Sequence, residues 1–204
     1  MKTICFIGMD GSGKSTQCKM LAKRLQQLGV EVKLIHLFTT GSTVSSRVQK
    51  KPLLKFFSQK LREIPTYGIK GTIKLLIGLI SYFIDAWVTY ILHQIKYRKK
   101  VVIYDRFFYD RFVTFGVIFD KTPWWIVNFA KFLPKSDMPI IMEVPSKVGN
   151  LRKPEDSLEK LEKSLKFYRI LASILNIEVI DGTQNFDKIA EHIYRRVSKL
   201  IWNK

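Results

Sequence analysis

Acidic residues are scarce in this 204-residue chain. Asp and Glu number 17 against 35 Lys and Arg, a formal charge of +18. That surplus speaks against a protein working on cationic partners. It favours polyanions such as nucleotide phosphates, nucleic acid or an anionic membrane, with a solvated basic surface as the plain alternative. Cysteine is scarcer still: Cys5 and Cys18 stand alone, in no C-x-x-C or metal-ligand spacing. A disulfide scaffold is excluded, and a reduced, cytoplasmic setting fits. His36, His93 and His192 are scattered without ligand spacing and receive no role. No repeat, low-complexity tract or linker divides the chain, so a single domain over residues 1–204 is expected. No signal peptide is visible, since the initial Met leads directly into a strand-like run. Apolar residues make up 47%, too many for wholesale disorder.

One long hydrophobic run is present. Leu75 to Leu92 is apolar over about the length that crosses a bilayer. Asp85 lies near its middle, where an unpaired carboxylate in lipid costs several kcal/mol. Lys70 and Lys74 precede it and Lys96, Arg98, Lys99 and Lys100 follow. A buried or subunit-interface helix is the expected use, ahead of a membrane-surface contact or a span.

The most informative stretch is Gly8-Met9-Asp10-Gly11-Ser12-Gly13-Lys14-Ser15-Thr16, which fits G-x-x-x-x-G-K-[ST]. Its glycines let consecutive backbone N–H groups turn inward around nucleotide phosphates. Lys14 is placed to meet the β- and γ-phosphates of ATP, and the Ser15 hydroxyl to ligate Mg²⁺. The following helix aims its positive N-terminal end at the same anion. Thr3–Ile7 before it reads as a short buried strand and Gln17–Leu28 after it as a helix, the setting the motif requires.

Along the chain, strands are expected at 3–7, 31–36, 101–104, 138–144 and 177–180. Helices are expected at 13–28, 44–63 (interrupted at Pro52), 72–97, 107–119, 123–132, 158–175 and 186–202. Pro65, Gly68 and Gly71 read as a turn, and Ser146 to Ser157 as a polar connection. This alternation predicts an α/β fold of the P-loop NTPase type: a three-layer sandwich with a mostly parallel sheet and helices on both faces. Ligands then bind beyond the carboxyl ends of the strands. The P-loop, Asp105-Arg106, the segment after Val144 and Asp181-Gly182 all follow strands and should converge there. Asp105, an acid after a buried strand, is a candidate to hold Mg²⁺ or its water. Arg106 offers a planar fork to a phosphate, with a structural salt bridge as the simpler alternative. Asp110 and Arg111, one turn on, either line an acceptor pocket or pair on a helix surface. Trp124-Trp125 with Phe129 and Phe132 reads as packing or a subunit contact.

In these residues the chain resembles the thymidylate kinase family of nucleoside-monophosphate kinases. Phe6 to Thr16 is similar to that family's F-E-G-x-D-G-x-G-K-[ST]-T. Tyr104-Asp105-Arg106-Phe107 is similar to its D-R-[YF] motif. Glu143-Val144-Pro145 precedes a basic, lid-like stretch at about 146–157 and a helix containing Tyr168-Arg169. Val179 to Thr183 looks like the family's adenine-side loop. The resemblance implies transfer of the ATP γ-phosphate to a nucleoside monophosphate, dTMP first among them, with Mg²⁺ as cofactor. It implies that Gly8 to Thr16 bind ATP, that Asp105 helps place the metal, and that Arg106 grips the acceptor phosphate. Asp10 then meets the acceptor sugar hydroxyl, and Phe38 and Tyr82 stand on the acceptor side. Gly11-Ser12 occupy P-loop positions where an Arg would otherwise act, so the catalytic cation is expected from the lid, at Arg152 or Lys153. A homodimer through the apolar helix is the family's expectation.

Departures fall on the acceptor side. Ile7 replaces the Glu usual before the first P-loop glycine. Phe38-Thr39-Thr40-Gly41 lacks the family's Arg after the second strand. Tyr82-Phe83-Ile84-Asp85-Ala86 places Ala86 where an acceptor-contacting Arg is expected. Two alternatives therefore stand beside a dTMP kinase. One is a P-loop kinase for another nucleotide, a sugar or a lipid-linked group. The other is a nucleotide-gated basic module that binds nucleic acid or membrane.

Overall fold

The computed structural model describes residues 1–37, 68–118, 128–154 and 156–202. The expected helix at 44–63, the loop around Phe38–Thr43, Pro65, and the Pro123 and Trp124-Trp125 positions lie outside the described residues.

The chain divides into two compact units, Met1–His36 with Tyr97–Lys204, and Leu37–Lys96. The first unit is built on a five-stranded sheet in which every pairing is parallel. Its strands are β1 (Lys2–Ile7), β2 (Val32–His36), β3 (Val101–Asp105), β4 (Met138–Glu143) and β5 (Glu178–Asp181), in the spatial order β2-β3-β1-β4-β5. β1 and β3 sit inside the sheet, and their sequences, KTICFI and VVIYD, are apolar without alternation. That is the pattern of strands covered on both faces. Only Lys2 at the edge of β1 is exposed.

Helices of this unit are α1 (Lys14–Gln27), α3 (Phe108–Ile118), α4 (Ser146–Arg152), α5 (Leu158–Leu175) and α6 (Phe186–Trp202). One face of the sheet is covered by α1 and α6. In α1 the buried residues Lys14, Gln17, Cys18, Leu21, Ala22 and Leu25 recur at helical spacing. In α6 the buried stripe is Ile189, Ile193 and Val197, four residues apart. Cys18, Leu21, Ala22 and Leu25 of α1 and the α6 stripe join Ile4, Phe6, Val101, Ile103, Ile140 and Met142 in one core. α5 starts on a Ser157 side chain that accepts from the Lys160 N–H at 3.3 Å, and stops at Asn176 in the left-handed conformation. The topology reverses between β1's two neighbours, β3 and β4. The ligand crevice of an open α/β sheet lies at that switch point.

The second unit contributes α2 (Gly68–Lys96), 29 residues and about 43 Å long at 1.5 Å per residue. It begins at Gly68, so Gly68 and Gly71 belong to the helix and not to the expected turn. A glycine costs a helix only about 1 kcal/mol relative to alanine, which a long apolar run outweighs. Likewise, residues 146–152 of the expected connection form a two-turn helix, started behind Pro145. Among the described residues, the stretch Leu76–Lys96 is long and apolar enough to cross a membrane, and of it Leu79, Ala86, Thr89 and His93 are buried.

Candidate active site

The P-loop leaves β1 at Gly8 with φ 139°. A Cβ there would lie 2.3 Å from the Met142 carbonyl oxygen of β4, so only glycine lets the loop start this close to the neighbouring strand. Gly11 (φ 78°) is under the same constraint from another side, since its Cβ would meet the Gly149 carbonyl of α4 at 2.4 Å. The helix within the expected lid segment therefore rests against the P-loop, backbone to backbone.

Lys14 opens α1 and is buried. Its Nζ donates to the Met9 carbonyl at 2.5 Å and to Ser12 Oγ at 3.2 Å. Burial lowers its pKa from the ordinary lysine value to about 8, with Asp110 the largest charge opposing that shift. Ser15 and Thr16 follow, exposed on the first turn. Asp105 ends β3, buried, with its Oδ2 3.9 Å from His36 Nε2. Its Oδ1 is buried without a hydrogen-bond partner. A hard cation or its water would satisfy that oxygen, so the site fits a magnesium ion held by Ser15, Asp105 and nucleotide phosphates. Among the described residues no cluster of three His, Cys, Asp or Glu offers a self-contained metal site. That arrangement suits Mg²⁺, which is commonly bound through one or two protein ligands plus phosphates.

Arg106 takes φ 68°, a left-handed backbone that non-glycine residues rarely adopt. Its N–H still bonds the Phe6 carbonyl at 3.0 Å, so the turn stays attached to β1. Its guanidinium pairs with the Asp10 carboxylate. Burial works against the Arg106 charge, yet Asp110, Asp10, Tyr168 and Asp105 together hold its pKa above the usual arginine value. Lys153 approaches the other Asp10 oxygen at 3.8 Å. Arg152, the last residue of α4, donates through Nη1 to the Gly182 carbonyl at 3.1 Å and to the Gly11 carbonyl at 3.4 Å. Its guanidinium carbon lies 6.0 Å from the centre of the Phe186 ring.

A cleft of about 370 Å³ is bounded by Asp10 to Thr16, His36, Arg106, Arg152, Lys153 and Phe186. Asp10 to Thr16 of the expected donor side, Arg106 and both lid cations thus meet in one place, while Gly8, Met9 and Asp105 do not line the cleft. Phe38 lies outside the described residues. Tyr82 is half-buried on α2 in the second unit. Three participants escaped the sequence reading. His36 received no role, yet it lines the cleft; its position at the carboxyl end of a strand was the available signal. Phe186 opens α6 and had no distinguishing mark. Asp110, for which a surface pairing or an acceptor pocket was expected, is instead buried and bonded to three segments.

That Asp110 carboxylate accepts from the Phe107 N–H at 2.7 Å, the Gly8 N–H at 3.2 Å and the Tyr168 hydroxyl at 2.9 Å. Burial pushes its pKa up, while Lys14, Arg106 and the two N–H groups pull it back. Burial, then Asp110, raises Tyr168 well above the ordinary tyrosine value.

Known proteins with similar sequences identify the family. The family model described as thymidylate kinase matches residues 6–193. A probable thymidylate kinase of Methanobrevibacter smithii is 27% identical over 199 residues, covering 96% of this chain and 93% of its own length. A thymidylate kinase of Desulfotalea psychrophila is 26% identical, covering 98% of this chain and 96% of its own. One from Plasmodium falciparum is also 26% identical, covering 98% and 90%. The matched residues fall in both units of the chain. Sequence and architecture agree that this chain belongs to the thymidylate kinase family, the P-loop nucleoside-monophosphate kinases.

Proposed function

We propose that this protein transfers the γ-phosphate of ATP to dTMP, yielding dTDP and ADP, as one kinase domain of 204 residues. The observation that supports the reading is the cleft lined together by P-loop residues Asp10 to Thr16, by Arg106 and by the lid cations Arg152 and Lys153. Phosphoryl transfer needs little covalent help from a protein. It needs two phosphates held in line and the spreading negative charge neutralised.

The chain's own residues supply those functions as follows. Backbone N–H groups of Gly11 to Lys14 cradle the donor phosphates, with the N-terminus of α1 behind them. Lys14 exchanges its bonds to Met9 and Ser12 for phosphate oxygens, and the phosphates restore the charge that burial disfavours. Ser15 and Asp105 would hold Mg²⁺, which when bound would neutralise charge on the phosphates. Arg106 gives up its Asp10 partner to fork onto the acceptor phosphate, freeing the Asp10 carboxylate for the acceptor sugar. Arg152 is the catalytic cation: it already reaches across the P-loop at Gly11, on the lid that excludes water. The acceptor-side roles of Phe38 and Tyr82 rest on the family resemblance.

The test is a coupled assay with ATP and Mg²⁺ against a panel of acceptors. Transfer to dTMP at micromolar concentration is the expected result, lost on chelation of the metal. Transfer to a sugar or lipid-linked phosphate with dTMP inert would overturn the reading. The relatives named above give those other acceptors no support.

The exposed apolar side chains of α2 support a homodimer, and the cysteine usage supports a cytoplasmic location. One observation favours a second contact: a charge of +18 exceeds what one nucleotide site uses. Binding to anionic vesicles or DNA that weakens steeply with salt is its measure.

A further inference from the structure

The buried carboxylate of Asp110 has more connections than its own helix needs. It stands three residues after Phe107, the residue before α3, and its Oδ2 accepts the Phe107 N–H. This is half of a capping box and would suffice for a local role. Its Oδ1, however, accepts from two further segments: the Gly8 N–H where β1 becomes the P-loop, and the Tyr168 hydroxyl of α5, the helix that follows the lid. Gly8 and Asp110 are 102 positions apart in the chain, and Tyr168 and Asp110 are 58 apart. Asp110 is 3% exposed and Tyr168 4%, so water does not compete for these bonds.

Two of the connected segments carry a group of the phosphate site, and the third stands behind the lid. Gly8 opens the loop that carries Lys14. Phe107 follows Arg106, whose left-handed turn aims the guanidinium at Asp10. Tyr168 sits one residue before Arg169, which chelates Glu143 at the end of β4 with bonds of 2.6 and 3.1 Å, and the lid helix begins three residues beyond Glu143. A carboxylate suits this junction because it has only acceptor sites and all three partners are donors. An amide would face at least one of them with an N–H.

We propose that Asp110 is a positioning residue of the phosphotransfer site, its one carboxylate tying the P-loop entrance, the Arg106 turn and the helix behind the lid into a single geometry. The proposal rests on the kinase reading for its effect on rate, and on hydrogen bonding alone for its structural half. Misplacing reacting groups by about 1 Å costs on the order of 100-fold in rate. Lys14 and Arg106, whose segments share one tie with the helix behind the lid, should therefore fail together.

The test compares wild type, Asp110→Asn and Tyr168→Phe in three readouts, well below their melting temperatures. These are the equilibrium affinity for ATP, the single-turnover rate of transfer to dTMP, and amide hydrogen exchange. Asp110→Asn should lower the transfer rate about 100-fold, with ATP affinity falling much less. Protection should be lost at one of the Gly8 and Phe107 amides, whichever faces the new N–H, while the β1 and β3 ladders stay protected. Tyr168→Phe keeps both backbone bonds and should lower the rate roughly 3- to 10-fold at unchanged ATP affinity. A merely structural role predicts lower melting temperatures and a normal rate for the folded enzyme, and that result in Asp110→Asn overturns the proposal. If Asp110→Asn does not fold, Tyr168→Phe decides: a wild-type rate there overturns it. If wild type itself transfers nothing to dTMP, the kinase reading fails separately. The exchange pattern then decides for the tie, and unchanged protection at Gly8 and Phe107 in Asp110→Asn refutes it.

Discussion

Helices α1 and α2 are governed by different physics. α1 is 14 residues long and starts with a buried lysine, a charge in a place where charge is costly. Its role follows from nine residues, Gly8 to Thr16, whose chemistry is local: glycine conformations, consecutive N–H groups, one ammonium. α2 is 29 residues of nearly continuous hydrophobicity. Leu79, Ala86, Thr89 and His93 are buried, while Ile77, Ile80, Ile84, Ile91 and Ile95 are exposed. Hydrophobicity specifies that a surface avoids water and does not specify what covers it. A motif names its ligand; an apolar stripe does not name its partner.

The largest expected effect tests the α1 half. Lys14→Ala should lower kcat/KM for transfer by at least about 1,000-fold, since a donor aimed at the developing charge is lost, and the melting temperature should stay within a few degrees. Steady-state kinetics with a thermal melt decides it; full activity would remove the site from α1 altogether. Next comes Gly11→Ala, whose Cβ would overlap the Gly149 carbonyl in a left-handed backbone. A loss of about 10- to 100-fold in kcat is expected, with ATP affinity less affected, because the lid helix is displaced.

The α2 half is sharpened by a double change, Ile84→Lys with Ile91→Lys, two exposed positions a heptad apart. Sedimentation should show a dimer for the native chain and a monomer for the variant. A native monomer would leave the stripe to another partner.

A last effect, on stability and not on rate, is a pH dependence that belongs to α1 alone. The folded-state pKa of Lys14 is about 8, below the usual lysine value near 10.5. The unfolded chain therefore binds the Lys14 proton more tightly between those limits. The Lys14 contribution to stability then rises as pH increases from about 8 to about 10.5, by up to about 3 kcal/mol. Urea titrations of the metal- and nucleotide-free protein should show that rise, and Lys14→Met should flatten it.

What was legible follows the same division. β1, the P-loop and α1 were readable because each step depends on near neighbours: a β-branched strand, glycines at positive φ, buried residues at helical spacing. α5 and α6 fall at 158–175 and 186–202, as the periodicity predicts. Gly68 and Gly71 misled because glycine punctuates weakly when the flanking run is strongly apolar. His36 was passed over because its neighbours in sequence say nothing; the pairing of β2 with β3 sets it opposite Asp105. Asp110 was half legible. Its three-residue spacing from Phe107 belongs to the helix start, but the Gly8 and Tyr168 bonds cross 102 and 58 residues of chain.

The sequence by itself determined the family, the phosphate-binding loop, the parallel α/β class and the identity of most cleft residues. Those depend on backbone conformation and on hydrophobic periods, which short stretches encode. Only the tertiary structure decided that Asp10 is paired to Arg106, that Arg152 bridges Gly11 and Gly182, that Gly11 must stay bare beneath Gly149, and that one carboxylate gathers Gly8, Phe107 and Tyr168. Each of these is a contact between distant segments. Hydrogen-bond partners and close backbone approaches are settled by how a sheet is ordered and covered, which no local pattern records.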